Sequence, residues 1–461
     1  MKTAVGAVGA VGAAEQHVII IVLWKYRLSL YRWRRREDVK IIAVAPPRML
    51  VDESNVDVYY QVEPPIRDHD HCLLMHKVRE LCSIFSAKQP KLVVFERSLQ
   101  RPIAQIRRDM EVDGFKPEQL LHFIQAEETI TMRNGLAAIS LRQCSLSGTP
   151  QPDTWAEAVR NQIGGFPAVV RPLRHHCAHS VGFIRNENEF KNWFRVSSFR
   201  NSSVHRNDHY VVQEYVDDGH EFSAVCSSSE GLLGCISAIE THRSVLECIQ
   251  NQQPYALEYL SANQTRDIFP GLESFCIQVI KSVFPTTYLG LIFIRGYYKD
   301  HNEIFFLGFG LEPDSETARN LIALPQSSPW EVLAITAQLG PQPEDTGNLD
   351  NNYHCVINFP SAEGVLIHQT NILRRQSNMR VSWKSAESAE MKDSDHLDDN
   401  VLQVFLWNPD RSSLLADCSD IMRSTDITID RNALNERHSL CRKNVAKLTA
   451  KELIRSCTTT D

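Results

Sequence analysis

The chain has 461 residues, 43% of them apolar and 23% charged, with a net charge of −7. That length exceeds what one ordinary core organises, so two or three packed units are expected, with ample apolar content to bury. The mild acidic excess supplies no field that would hold nucleic acid or an anionic membrane without a localised basic patch, and neither partner is expected.

In chain order, MKTAVGAVGAVGAAE opens the sequence, and residues 1–16 read as a flexible leader. The Ala/Gly/Val tract with its one Lys resembles a weak signal sequence, but it is glycine-interrupted and only marginally apolar, which favours the leader reading. The run HVIIIVLW at 17–24 is stopped by Lys25 and Arg27. It falls short of the ~20 apolar residues that span a bilayer, so it reads as a buried strand. VKIIAVA at 39–45 and KLVVF at 91–95 are further strands, and RWRRR at 32–36 reads as a solvated helix end or an anion patch. Residues 71–88 place Leu73, Leu74, Val78, Leu81, Ile84 and Phe85 at helical spacing. Strands alternating with helical segments imply a parallel sheet with crossover helices, so residues 17–125 form an N-terminal α/β domain.

The texture changes at Ala126. Thr129–Leu146 reads as helical, followed by the turn SGTPQPD, the segment TWAEAVRNQIGG and the strand FPAVVRP. Strands are expected at 209–216, 221–226, 231–239, 289–298 and 303–309, with helices at 186–195 and 265–284. This is an α+β pattern with antiparallel hairpins, the last one turning at residues 299–302. It fills a unit spanning 126–380. SWKSAESAEMKDSDHLDD lacks periodicity, so 381–400 is an acidic linker or mobile loop. Beyond it, 401–461 is a small C-terminal module and tail, with a strand at 401–407 and helices at 412–422 and near 441–455. The twelve cysteines are scattered without a CxxC pair, as reduced thiols of a cytoplasmic protein would be.

Taken in order, several of these segments resemble the ATP-grasp superfamily of carboxylate–amine ligases. The turn SGTPQP at 147–152, the strand FPAVVRP, the hinge VVQEYVDDGHEFSAV at 211–225, and the strand pair LGLIFIRGYYKDHNEIFFLGFGLEPDSE at 289–316 fall in the family's sequence of parts. VFLWNPDRSSLLADCSDI is similar to its small closing module. The branch most similar in feel is the carnosine-synthase-like one, which joins amino acids into dipeptides. The resemblance implies an ATP-grasp fold: the N-terminal α/β domain, a central two-lobed nucleotide-binding domain and the C-terminal module. ATP, amino-acid substrates and a cytoplasmic location follow from it as expectations.

It also implies roles for residues. Gln213, Glu214, Tyr215 and Val216 would present the hinge backbone to adenine, and Glu221 would hold the ribose hydroxyls. Arg171 stands where the family places a phosphate-binding lysine; it keeps the charge but carries a planar, bulkier donor set. The family's Mg²⁺ is held by carboxylates on two strands and an Asn, since magnesium demands hard oxygen ligands. Those positions are Arg295, Gly308 and Gly310 here, and the family's following arginine is Glu312. Mg²⁺ binding is therefore in doubt, with Glu312 and Asp314 as substitute acids and Glu303 and Glu316 also nearby. Arg295 reads either as a structural ion pair with Glu240 or another acid, or as a fixed charge standing in for the metal. Catalysis is expected to be weakened or lost, the alternative being a catalytically inactive pseudoenzyme that acts as a binding or scaffold protein.

His175, His176, Cys177 and His179 follow the FPAVVRP strand in a loop poor in glycine. Zinc ligation and a thiol nucleophile are both open to such residues, but neighbouring side chains on one short stretch point apart. A loop that covers the cleft with solvated histidines is the simpler reading. His242 and Arg243 are candidates for contact with a carboxylate or phosphate.

Overall fold

The computed structural model describes residues 17–433 apart from 25–26, 29, 31–37, 51–54, 64–70, 125–135, 137–138, 149–150, 173–180, 201–208, 230, 240–242, 285–287, 289, 300–302, 327–328, 339–350, 370–371, 373–374, 393 and 395–396. Outside these residues lie the leader, RWRRR, the cluster from His175 to His179, Glu240, His242 and the helix expected near 441–455.

The first unit is built from β1 (His17–Val22), β2 (Val39–Ala45), β3 (Val58–Gln61), α1 (Cys72–Ile84), β4 (Lys91–Val94), α2 (Arg97–Asp109) and α3 (Pro117–Ile124). Its sheet has the order β3-β2-β1-β4, and every pairing in it is parallel. Continuous β-branched runs form it because both faces are covered. Val18, Ile20 and Val22 pack under α1 and α2, while Ile19, Ile21 and Leu23 turn to the opposite face and meet the rest of the molecule. Each fully buried aliphatic side chain contributes about 2 kcal/mol of transfer free energy.

A smaller lobe follows, made of β5 (Gln143–Leu146), α4 (Pro152–Ile163), β6 (Ala168–Pro172), β7 (Gly182–Ile184), α5 (Glu187–Arg200) and β8 (Tyr210–Glu214), with sheet order β5-β8-β6-β7. Trp155, Val159 and Ile163 of α4 and Phe190 and Phe194 of α5 bury against Val170 and Val212. The helix expected over Thr129–Leu146 does not extend to its end: Gln143–Leu146 pairs with β8 as a strand. Cys144 and Leu146 face the core at period two while Gln143 and Ser145 alternate with them, and this tertiary pairing outweighs local helical spacing.

The remainder centres on one eight-stranded sheet. In chain order its elements are β9 (His220–Ser227), β10 (Gly231–Ala238), α6 (Val245–Gln250), β11 (Tyr255–Ser261), α7 (Ala262–Ile268), α8 (Leu272–Val283), β12 (Leu291–Lys299), β13 (Glu303–Gly310), α9 (Glu316–Gln326), α10 (Trp330–Ala337), β14 (Tyr353–Pro360), β15 (Gly364–Gln369), β16 (Asn378–Trp383), β17 (Glu390–Met391), β18 (Asn400–Asn408), α11 (Arg411–Ser424) and β19 (Ile427–Asp430). The order is β13-β12-β9-β10-β11-β14-β18-β16. One face packs on α8 through Phe275, Cys276 and Val279, and the other meets the first unit together with α9 and α10 through Val225, Phe293, Leu321 and Trp330.

Three expectations differ from this arrangement. The helix over 265–284 is two helices, α7 and α8, broken at Pro270 and at Gly271, whose φ is 86°. The segment 381–400 is not a structureless linker, because it ends β16 and contains β17, whose Met391 is buried with Leu366. The strand of the C-terminal segment, β18, does not stand apart: it pairs with β14 and β16 inside the central sheet. Among the described residues, no helix is long and apolar enough to cross a membrane.

Candidate functional site

The hinge between the two lobes is the turn from β8 into β9. Asp218 at φ 54° and Gly219 complete it, and a Cβ on Gly219 would meet Val216 Cγ1 at 2.7 Å. Glycine is required there by close approach rather than by φ. On the small sheet, Val169 of β6 lies opposite Gln213 of β8, which makes Arg171 a diagonal neighbour of Gln213. Arg171 Nε donates to Gln213 Oε1 at 3.3 Å, and burial lowers the pKa of this guanidinium. Glu214 is held by Arg142, which donates from its backbone N to Oε1 and from Nε to Oε2, both at 2.7 Å. In the main chain of the turn, Glu214 N donates to Arg142 O at 3.0 Å and Tyr215 N to Pro167 O at 3.4 Å. Burial pushes the Tyr215 phenol up to about 12, with Glu247 and Asp217 adding to the rise.

On the large sheet, Glu221 of β9 lies directly opposite Tyr297 of β12. Their register brings Tyr297 Oη to Glu221 Oε1 at 3.1 Å, while Oε2 accepts from Val245 N at 3.2 Å. Burial raises the Glu221 carboxyl, and these two donors oppose the rise. The Tyr297 phenol is raised well above its ordinary value, chiefly by burial and then by the Glu221 charge. Glu221, the expected ribose ligand, is thus tied to Tyr297 and to the start of α6.

Two residues back from Tyr297 on the same face, Arg295 pairs across the sheet with Ser223 on one side and Gly308 on the other. Its guanidinium forms an ion pair with Asp314. A Cβ on Gly310 would meet Arg295 Nη2 at 2.9 Å, so the guanidinium occupies space that a side chain at Gly310 would need. Arg295, Gly308, Gly310 and Asp314 are one packed unit: a cation, two positions without side chains, and an acid satisfied by the cation. This donor set does not fit a divalent cation, which would need Asp314 free and the positive charge elsewhere. Glu312 is part-buried beside it, whereas Glu303 is exposed and Glu316 is exposed at the first turn of α9. Arg243 contacts Gln253.

Sequence reasoning did not single out Tyr297 or Arg142. Tyr297 was within reach, because it shares the period-two face of Arg295; Arg142 sits outside any periodic element and gave no signal.

No sequence-family profile matches the chain, and no curated protein matches it. Solved structures do. The L-amino acid ligase from Bacillus licheniformis superposes with a TM-score of 0.60 at 12% identity, over 91% of this chain and 100% of that one. Phosphoribosylglycinamide synthetase from Anaerococcus prevotii gives 0.52 at 13%, over 90% and 100%. The biotin carboxylase domain of 2-oxoglutarate carboxylase from Hydrogenobacter thermophilus, in complex with MgADP, ADP and bicarbonate, gives 0.51 at 12%, over 85% and 86%. At such identities the likeness is one of fold, and the chain has the ATP-grasp fold.

Proposed function

We propose that this ATP-grasp-fold protein binds an adenine nucleotide in the cleft between its small sheet and its central sheet without a magnesium clamp, and that ligase catalysis is lost or strongly weakened. The nucleotide half of the reading is supported by the hinge and by Arg171, a part-buried cation whose one hydrogen-bonded partner among the described residues is the neutral Gln213. A guanidinium so placed suits a phosphate. Bound ATP would supply a transferable phosphoryl group; the main chain around Val216 would meet the base, and Arg171 would neutralise phosphate charge.

The observation that carries the loss of catalysis is the Arg295–Asp314 pair lying over Gly310. Phosphoryl transfer depends on oriented charge that clamps several phosphate oxygens at once. A guanidinium held in an ion pair with Asp314 offers one plane of donors and no such clamp.

The likeness to an L-amino acid ligase makes amino acids the panel to try. Calorimetric titration with ATP and ADP should show binding whose affinity is the same with Mg²⁺ and with a chelator, and Arg171→Ala should weaken it at least tenfold, the worth of about 1.4 kcal/mol. Phosphate release from ATP that requires Mg²⁺, an amino acid and a second amine together would overturn the non-catalytic reading. Absence of any nucleotide binding would overturn the whole of it.

A further inference from the structure

A cavity of about 50 Å³ lies where the first unit meets the central sheet, walled by Lys91, Arg107, Asp113, Gly114, Tyr288 and Trp330. That is room for a few water-sized groups. It lies by Leu291 at the start of β12, the strand whose far half carries Arg295 and Tyr297.

Arg107 is its unusual member. The last turn of α2 carries this residue inward until it is only 7% exposed. One guanidinium nitrogen, Nη2, donates to Leu92 O at 2.7 Å, while Nε has no hydrogen-bond partner among the described residues. The backbone is shaped to admit the group: Gly114 adopts φ 110°, and a Cβ there would meet Arg107 Nε at 2.8 Å. No carboxylate among the described residues forms an ion pair with it. The acid on the cavity wall, Asp113, binds Lys91 at 2.7 Å instead. A further cation stands close by, since Lys116 Nζ donates to Arg107 O and Val112 O, both at 2.6 Å. Glu111 and Glu118 act on Lys116 from exposed positions, and Glu118 is itself bonded to Arg108.

A buried cation without an anion costs several kcal/mol, a penalty that folded proteins rarely leave unanswered. Burial lowers the Arg107 pKa only to about 10, so the group remains charged at neutral pH. Its planar fork matches a carboxylate or a phosphate better than it matches scattered waters. The geometry points to a binding site for one small oxyanion, a carboxylate or inorganic phosphate, held on the Arg107 guanidinium in this cavity. Bound there, the anion braces the joint between the parallel sheet and the central sheet.

The test titrates sodium phosphate and sodium acetate separately against chloride at constant ionic strength, reading the melting temperature and the heat of binding. Wild-type protein should gain a saturable rise in melting temperature with at least one of them, phosphate alone marking a tetrahedral ligand and acetate a carboxylate. Arg107→Met should lose that rise while melting no lower than wild type in chloride. Ala334→Leu, which fills the same cavity from α10 and leaves Arg107 in place, should also lose it and serves if Arg107→Met does not fold. Arg171→Ala should retain it, because the nucleotide cleft is a separate place. The assignment is overturned by no saturable response to either anion. It is equally overturned by a response that survives Arg107→Met, or survives Ala334→Leu, or vanishes in Arg171→Ala.

Discussion

Replacing Tyr297 by phenylalanine removes one of two donors from the Glu221 carboxylate and leaves the ring packing in place. The native bonds are 3.1 Å from Tyr297 Oη and 3.2 Å from Val245 N. Both are long for bonds to an ionised acceptor, so the low end of the range for such bonds, about 1.5 kcal/mol, is the expected loss. Glu221→Gln should act in the opposite direction at neutral pH. Its amide oxygen can accept from Val245 and its nitrogen can donate to Tyr297, with no charge enclosed. The pH profile separates the two effects. Burial raises the Glu221 carboxyl above its ordinary 4.5. Stability from a group so shifted is fully present below the unfolded value and is lost as pH rises through the folded one. As pH rises above that ordinary value, thermal melts should therefore show wild type falling relative to Glu221→Gln. Tyr297→Phe, having lost a bond that favours the ionised form, should fall over a range extended to higher pH. Parallel profiles for wild type and Glu221→Gln would refute the argument.

Arg411→Met should cost about 4 kcal/mol, because it strands a buried carboxylate. Glu258 is 1% exposed, and Arg411 donates to both its oxygens at 2.9 and 2.7 Å. Adding Glu258→Gln to that variant should recover part of the loss in denaturant melts; no recovery would mean that packing, not the stranded charge, accounts for it. Gly296→Ala should cost about 3 kcal/mol or prevent folding, since the new Cβ would lie 2.1 Å from the Phe305 carbonyl oxygen, which is fixed in the sheet. Gly310→Ala presses on the end of the Arg295 side chain, at 2.9 Å, and reaches the Glu312 carbonyl oxygen only at ordinary contact distance, 3.4 Å, so it should cost about 1 kcal/mol or less. Equal melting temperatures for these two variants would contradict the difference drawn between a backbone and a side-chain neighbour.

Much of the fold was legible from local pattern. VKIIAVA forms the strand Val39–Ala45 as read, and the helical spacing of Leu74, Val78 and Leu81 becomes the buried face of α1. Strands β11 and β14 were not read, although both are buried: YALEYLS places Glu258 in an apolar run, and YHCVINFP places His354 and Asn358 in another. Such polar residues interrupt the pattern that marks a core strand. They are tolerated because partners arrive from far along the chain, as Arg411 does for Glu258 and Gln403 for Asn358.

By itself, the sequence determined the alternation of elements and carried the resemblance to ATP-grasp proteins. Those follow from residue identity and spacing, which the chain carries locally. Tertiary structure alone decided which acid answers Arg295, that Glu221 is taken by Tyr297, and that Arg107 is buried with no carboxylate paired to it among the described residues. Each of these depends on strand register and on helix packing between residues distant in sequence. Electrostatic free energy is set by those distances and by the exclusion of water, and neither is written in the order of the residues.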